Sequence, residues 1–418
     1  MERAFGPFEL TRALGRGGMG EVFLATRRDD AAKTRVVLKR LRPEIYENEE
    51  YQRRIIFEAQ VGAKLEHPNL VKQIELGRVG DCPYLVLEYV HGFSLRRLLD
   101  PIFENEITPP PITVGAIVVE NLLSGLTAMH SVKDDSGVSR PIIHRDVTPN
   151  NVIITSEGRP VLIDFGIAKD VMGPSITQYG KVIGTARYMS PEHREGESLD
   201  IRTDVFAVSM IAFELFFGRR PWPKLSSHKE MLRTVFDSPT LSPDEEARVP
   251  SELWAVLVKG LACEPNERWS SAASMLKALR KTEYFQMLLE GSQTDKWLKV
   301  SDWVESTGLQ SDEELENMVV DHAPASGSDL GEHMRWTPAG RLERDPTPQP
   351  YRISELPPAQ LLPIPPLPPR RELNLSTQEL KMSEFAVKDR RWWVLGLIVL
   401  AIAGGVLGFS WGFISGGA

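Results

Sequence analysis

A glycine cluster between two strand-like segments constrains the fold of this chain more than any other feature. Residues 8–41 alternate apolar and polar side chains as strands do, in "FELTRALG", "GEVFLAT" and "RVVLKRL". The segment "LGRGGMGEV" joins the first two and holds Gly15, Gly17 and Gly20 in G-x-G-x-x-G spacing. A dinucleotide-binding fold would continue into a helix after such glycines. Here a second strand follows, so we predict a loop whose backbone approaches phosphate groups closely.

The rest of the chain favours helices. A helix is predicted at 46–65 and a strand at 83–90, and beyond them the apolar spacing is mostly helical. The main helical segments are 112–130, 204–217, 251–262 and 271–281. A strand-rich lobe followed by a helix-rich lobe indicates the α+β fold class.

The sequence predicts the direction and the partners of one lysine side chain in the first lobe. Lys39 ends "VVLK" on the third strand, where apolar neighbours on both sides predict that its ammonium points inward. An inward lysine needs anionic partners, and nucleotide phosphates plus a carboxylate would supply them. Glu58, in the helix after the third strand, is the candidate carboxylate, whereas the acids at 47–50 are interpreted as solvated.

The second lobe contains the polar residues expected of phosphoryl transfer. "IIHRDVTPNNVII" holds His144, Arg145, Asp146 and Asn151, and "LIDFG" adds Asp164. Asp146 would orient an acceptor hydroxyl and take its proton, while Asn151 and Asp164 would offer hard oxygens to Mg²⁺. His144 is interpreted as a packing residue. Arg145 would pair with a phosphate on the following loop.

In this order, the motifs resemble the eukaryotic-like (Hanks-type) serine/threonine protein kinases, particularly the bacterial membrane-anchored ones, over about residues 8–282. The resemblance implies a two-lobed protein-kinase fold that uses ATP with Mg²⁺, or Mn²⁺ in its place, on protein substrates. It also implies that "GTARYMSPEH" binds substrate, that Arg268 pairs with Glu192 and that Asp204 props the catalytic loop. The residues that it implies for nucleotide binding are Gly15, Arg16, Gly17, Gly18, Gly20, Val22, Lys39, Glu88 and Val90.

One residue departs from the family pattern. Thr148 stands where serine/threonine members carry a lysine that contacts the transferred phosphate. The loss of one such preorganised charge would lower the rate by about 10²–10³. The other parts are intact, which favours a working enzyme over a catalytically weak or inactive nucleotide-binding scaffold. A small-molecule kinase is disfavoured by the long loop between Asp164 and Glu192.

That loop also holds the candidate phosphorylation sites. A phosphate on Thr177 would pair with Arg145 and order the loop. Thr185 is the second candidate, although its place beside the substrate segment suggests a structural hydroxyl. Tyr179 and Ser175 are nearby alternatives. Pro149 and Thr185 favour serine or threonine over tyrosine as the acceptor.

Composition excludes several classes of function. The net charge of −8 provides no basic surface for nucleic acid. The two cysteines, Cys82 and Cys263, are far apart and predict neither a disulfide framework nor a zinc site. Beyond the kinase domain at 8–282, an acidic segment at 283–336 is either an appended helix or an interaction segment. Residues 337–391 are predicted to be a proline-rich disordered linker that acts as a spacer, or as a ligand for a proline-recognising domain.

A membrane helix is predicted at 392–414, where the chain carries no charged residue. At about 1.5 Å per residue the run reaches about 34 Å, enough to cross a bilayer core of about 30 Å. The basic residues at 388–391 put the kinase domain in the cytoplasm of a single-pass cell-membrane protein. Glycines recur every four residues on one face and predict a homodimer through this helix, although glycine is also simply frequent in membrane helices: Gly404, Gly408, Gly412 and Gly416.

Overall fold

A computed structural model describes most of the first 309 residues and three short strands after them. The described ranges are 4–16, 20–134, 136–164, 187–222, 238–288, 292–309, 334–336, 342–344 and 349–351. Four predictions fall outside them: Gly17 and Gly18, Thr177 and Thr185, the membrane helix at 392–414, and its glycine face. Within the described residues, a strand-rich lobe is followed by a helix-rich lobe, as predicted.

The first lobe is an antiparallel sheet with one helix. Its strands follow the spatial order β1-β2-β3-β4-β6-β5. They are β1 Ala4–Phe5, β2 Phe8–Arg16, β3 Gly20–Arg27, β4 Arg35–Leu41, β5 Gln73–Val79 and β6 Cys82–Glu88. The helix α1, Glu49–Gly62, begins at Asn48, whose side chain accepts a hydrogen bond from the backbone N–H of Glu50. The predicted three strands, the helix and the strand predicted at 83–90 are confirmed, whereas β1 and β5 were not predicted.

The alternation of β4 aims Lys39 at the cleft. Successive side chains of a strand point to opposite faces of its sheet. Val36 and Leu38 pack into a small core with Phe8 and Tyr84 on one face. Lys39 consequently lies on the other face, which is the face that α1 covers. The inward ammonium predicted from the apolar neighbours is therefore confirmed.

The second lobe is built around two buried helices. Its helices are α2 Leu95–Phe103, α3 Ile112–His130, α4 Pro191–Glu195, α5 Arg202–Phe217, α6 Pro243–Arg248, α7 Ser251–Gly260, α8 Ala272–Lys281, α9 Glu283–Leu288 and α10 Gln293–Ser306. A small sheet of β7 Gly92–Ser94, β8 Val152–Thr155 and β9 Pro160–Leu162 lies beside them. Almost every residue of α5 is buried, as expected for a helix that is packed on all sides.

Among the described residues, α3 alone is long and apolar enough to cross a membrane. However, 78% of its most apolar window is buried inside the protein. It contacts α5 and α8, and its side chains belong to the main hydrophobic core. Its apolar character is therefore explained by packing in the lobe.

The helix α10 lies in the acidic segment predicted at 283–336 and packs onto the kinase lobe. Val300, Trp303 and Val304 are buried, and the Ser301 hydroxyl donates to the backbone oxygen of Ser156 over 2.6 Å. Of the two alternatives for this segment, the structure contains the appended helix. The packed body continues past residue 282, because the backbone of α10 at Trp297 and Ser301 lies against the turn between β8 and β9.

Three short strands follow α10, one at the end of the acidic segment and two within the linker predicted to be disordered at 337–391. β10 Met334–Trp336 pairs with β11 Leu342–Arg344, and β12 Gln349–Tyr351 pairs with β5 in antiparallel register. This differs from the expectation of an unstructured spacer. The edge of β5 that faces away from β6 has backbone groups available for pairing, and an extended segment can occupy such an edge.

Gly158 provides a test of the docking of α10. Its φ of +80° is left-handed, and an added Cβ would lie 1.9 Å from the backbone oxygen of Trp297 in α10. Gly137 has nearly the same φ, +81°, but open space around a Cβ. Both alanine variants should lose about 1–2 kcal/mol through backbone strain. We expect Gly158→Ala to lose about 1–3 kcal/mol more, because α10 must move.

Thermal unfolding of the two purified variants beside the parent chain measures this difference. Gly137→Ala is the matched control for the left-handed backbone. Equal losses of stability in the two variants would show that α10 does not press on the turn at Gly158.

Candidate active site

Lys39 joins the two lobes at the centre of the cleft. Its Nζ lies 2.7 Å from Oε1 of Glu58 and 2.7 Å from Oδ1 of Asp164. β4 supplies the lysine, the buried face of α1 supplies Glu58, and Asp164 follows β9. The predicted lysine and its predicted carboxylate are therefore brought together, with Asp164 as a second acid.

The electrostatics of this contact keep the lysine charged. Burial alone would lower the pKa of Lys39, but the nearby carboxylates of Asp164 and Glu58 outweigh burial and raise the pKa well above its usual value. The Asp164 carboxylate is about half exposed, at 49%, whereas that of Glu58 is 2% exposed. Glu58 is thus the fixed partner, and the open side of the ammonium faces the part of the cleft where phosphates would bind.

Asp146 is held in a fixed orientation by Asn151. The Asn151 Nδ2 donates to the backbone oxygen of Asp146 over 2.8 Å and to its Oδ2 over 2.7 Å. A single 3₁₀ turn, Pro149–Asn151, brings the two residues together. Thr148 is 3% exposed and lines a small pocket together with Asp146, Tyr188 and Met189. The residue that departs from the family pattern is therefore next to the predicted proton acceptor.

A buried carboxylate on α5 supports the loop that carries Asp146. Asp204 accepts the backbone N–H of His144 over 2.8 Å and that of Arg145 over 2.9 Å. His130 Nε2 lies 2.9 Å from the same carboxylate. Burial alone would raise the pKa of Asp204, but the hydrogen bond from His130 and the surrounding charges lower it, so the group stays ionised. The prop expected from the family resemblance is present in the structure.

His144 has the environment of a packing residue. It is fully buried, and burial lowers the pKa of its imidazole despite the opposing charge of Asp204. Its Nδ1 accepts the backbone N–H of Asp146 over 3.3 Å. This fits the interpretation that His144 shapes the loop and takes no part in proton transfer.

The substrate segment is anchored by a buried ion pair. Arg268 donates through both terminal nitrogens to the two oxygens of Glu192, each over 2.7 Å. This bidentate geometry is the strongest form of such a pair. Thr203 adds a hydrogen bond from its hydroxyl to Glu192 over 2.8 Å, a contact that our sequence analysis missed. The only sequence signal was its position directly before Asp204.

Two of the predicted metal ligands have suitable chemistry for Mg²⁺. Because Asn151 turns its amide nitrogen to Asp146, its amide oxygen is left as a possible metal ligand, and the carboxylate of Asp164 is another. The described residues contain no group of three or more His, Cys, Asp or Glu arranged for a metal. One carboxylate and one amide oxygen form the kind of site that phosphates and water complete around Mg²⁺.

The described members of the predicted nucleotide-binding set lie in the strands of the first lobe and in the segment that follows them. Gly15 and Arg16 end β2, Gly20 begins β3, and Val22 lies opposite Lys39 in the register of β3 with β4. A Cβ on Gly20 would lie 2.9 Å from the backbone oxygen of Arg40, so the close strand contact excludes a side chain there. Glu88 ends β6, and Val90 lies in the segment that leads from the first lobe to the second.

Comparisons with known proteins agree with this geometry. The protein kinase domain family matches residues 8–285. The tyrosine-protein kinase MasK of Myxococcus xanthus is 32% identical over 279 residues, which are 66% of this chain and 43% of MasK. The serine/threonine-protein kinase PknD of Mycobacterium tuberculosis is 34% identical over 273 residues, 65% of this chain and 39% of PknD.

A third relative, the serine/threonine-protein kinase PknB of Mycolicibacterium smegmatis, is 34% identical over 276 residues, 64% of this chain and 41% of PknB. The matched segment spans less than half the length of each of these relatives. It contains the lysine, both catalytic-loop residues and the buried Glu192–Arg268 pair. Because the protein kinase domain family matches the segment that forms these two lobes, the chain belongs to the protein kinase family.

Proposed function

We propose that this chain is an ATP-dependent serine/threonine protein kinase that transfers the γ-phosphate to protein hydroxyls and phosphorylates its own loop. The observation that carries the proposal is the assembled cleft. Lys39 contacts both Glu58 and Asp164, and Asn151 fixes the Asp146 carboxylate. A scaffold that only binds nucleotide has no need of an oriented proton acceptor.

Each residue has one part in the proposed reaction. Lys39 holds the nucleotide phosphates, and Glu58 holds Lys39. Asp146 orients the acceptor hydroxyl and takes its proton as the new O–P bond forms and the bond to the leaving ADP breaks. Asn151 and Asp164 would hold Mg²⁺, which when bound would neutralise charge on the phosphates.

The choice of serine and threonine rests on the catalytic loop and on two of the relatives. Pro149 follows Thr148 as in serine/threonine members, and PknD and PknB are named serine/threonine kinases. MasK is named a tyrosine kinase, and it matches the chain over a similar length. The type of amino acid that is phosphorylated is therefore the first property to determine.

The first prediction from this proposal concerns Asp146. Labelled ATP given to the full chain with Mg²⁺ should place phosphate on the chain itself and on a general protein substrate. Asp146→Asn should lower this transfer by about 10²–10⁴, because the hydroxyl loses its proton acceptor. Acid hydrolysis of the labelled protein should release phosphoserine or phosphothreonine.

The same material identifies the loop site. Peptide mapping should find label at Thr177, and Thr177→Ala should lower activity toward an added substrate if the phosphate orders the loop through Arg145. Transfer that is equal in the parent chain and Asp146→Asn would contradict the kinase proposal and favour the nucleotide-binding scaffold. Full activity in Thr177→Ala would assign the switch elsewhere.

The second prediction concerns Thr148. Thr148→Lys should raise kcat by up to about 10²-fold with little change in the KM for ATP, because the added charge acts mainly in the transition state. Thr148→Met is the matched control, because methionine is similar in length to lysine and carries no charge. No rise would mean that another cation already serves the transferred phosphate. The same rise in both variants would mean that the size of the side chain, and not its charge, changes the rate.

We also propose that residues 392–414 anchor the kinase in the cell membrane, with the kinase domain on the cytoplasmic side. The uncharged run and the basic residues at 388–391 support this proposal. Close approach of the glycine face would favour pairing of two such helices. Two kinase domains would then share a small volume, which would raise the rate at which one phosphorylates the other.

The third prediction tests the anchor and the pairing. The full chain should stay with membranes after alkaline washing, whereas a chain ending at residue 391 should not. Crosslinked dimers in membranes should disappear when Gly404, Gly408 and Gly412 are replaced by Leu. Retention of the shortened chain would refute the anchor, and unchanged crosslinking would refute the glycine face.

A further inference from the structure

A buried polar pair lies directly behind the substrate segment. The Tyr188 hydroxyl donates to Oε2 of Glu214 over 2.7 Å, and both side chains are almost completely buried. Burial raises the pKa of Glu214 to about 7, against the opposing effects of Tyr188 and nearby arginines. Near neutral pH this carboxyl group is therefore only about half ionised.

Three arginines from separate parts of the chain surround this pair. The guanidinium groups of Arg220 and Arg96 lie 5.0 and 5.8 Å from the ring centre of Phe103. Arg220 Nε lies 4.0 Å from Oε1 of Glu214 and has no hydrogen-bond partner among the described atoms. Arg187 directly precedes Tyr188 and interacts electrostatically with both of the other arginines. We call these three residues the arginine face.

The arginine face carries more positive charge than its surroundings balance. Within the described residues, Asp100 pairs with Arg96 along α2, and Glu214 faces Arg220. Two acids, one of them only about half ionised, therefore oppose three guanidinium groups. The excess positive charge affects Arg187, because burial and the charges of Arg220 and Arg96 together lower the pKa of its side chain. Like charges held together in this way stabilise a bound anion.

The arginine face lies beside the place where the acceptor hydroxyl would bind. Tyr188 and Met189, which follow Arg187, line a small pocket together with Asp146 and Thr148. Residues that flank an acceptor in a bound peptide would therefore pass close to Arg187. A nucleotide would instead contact Lys39 and the strands of the other lobe.

We propose that Arg96, Arg187 and Arg220 form a subsite for an anionic side chain of the protein substrate, close to the phosphorylated hydroxyl. The inference rests on the proposed kinase activity and adds the chemical class of the substrate. A carboxylate and a phosphate present the same oxygens to guanidinium groups, so either source of anion fits the subsite. The enzyme then selects substrates that are acidic, or already phosphorylated, near the acceptor.

The experiment measures kcat/KM of the full chain on peptides with one acceptor and Glu, phosphoserine, Ala or Lys at each flanking position in turn. We expect at least a tenfold preference for Glu or phosphoserine over Ala at one position, and Lys to be the poorest residue there. A larger effect of phosphoserine than of Glu would identify phosphate as the better anion. Comparable effects would identify carboxylate as sufficient.

Substitutions of Arg187 separate recognition from general damage. Arg187→Gln should reduce the acid preference, the ratio of kcat/KM for the Glu peptide to that for the Ala peptide, at least fivefold, and Arg96→Gln should act in the same direction. Arg187→Glu should reverse the preference, so that Lys becomes better than Glu at that position. Arg140→Gln, which removes an exposed arginine outside the arginine face, is the matched control and should keep the parent specificity.

The outcomes separate this inference from the proposed function. Equal kcat/KM for Glu, Ala and Lys at every position would overturn the subsite and leave the kinase intact. An acid preference that persists in Arg187→Glu would also overturn it. Transfer to no peptide beyond the level of Asp146→Asn would overturn the kinase proposal and the subsite together.

Discussion

The carboxylate of Asp204 is the interaction on which the geometry of the second lobe depends. It is buried on α5, yet it stays ionised because His130 and two backbone N–H groups surround it. These bonds hold Arg145 at a φ of +65°, a conformation that costs a non-glycine residue about 1–2 kcal/mol. The strain persists because the buried carboxylate would otherwise lose its donors. The position of Asp146, the next residue, follows from this arrangement.

The same helix also connects the loop to the substrate segment. Thr203, beside Asp204, bonds Glu192, and Arg268 completes the pair while its guanidinium lies 5.0 Å from the ring centre of Phe206 in α5. The loss of one partner would leave a buried charge, which costs about 3–5 kcal/mol. The contact of Lys39 with Asp164 connects the first lobe to the second lobe. The carboxylate of Asp164 in this contact is about half exposed to solvent.

The sequence predicted the elements with strong periodicity and the residues with a fixed spacing. The helix at 112–130 was matched to the residue, and Lys39 and Glu58 were paired correctly, because each depends on local pattern. The role of α10 was left open, since its apolar residues are interleaved with charges and its packing partner is the turn at Gly158. The arginine face was missed for a similar reason: α2, the substrate segment and the end of α5 meet only in the folded chain.

Positive charge near the catalytic loop is distributed differently from the family pattern. Thr148 lacks the charge of the usual lysine, and the arginine face adds charge elsewhere. A lysine at position 148 would act on the transferred phosphate itself, next to Asp146. The arginines lie around Tyr188 and Glu214, and the effect of their charge falls off with distance and screening. In the proposed reaction they would therefore not replace the missing contact in the transition state. Their effect would be on which protein remains bound long enough to react, so selection of the substrate and the rate of transfer would depend on separate charges.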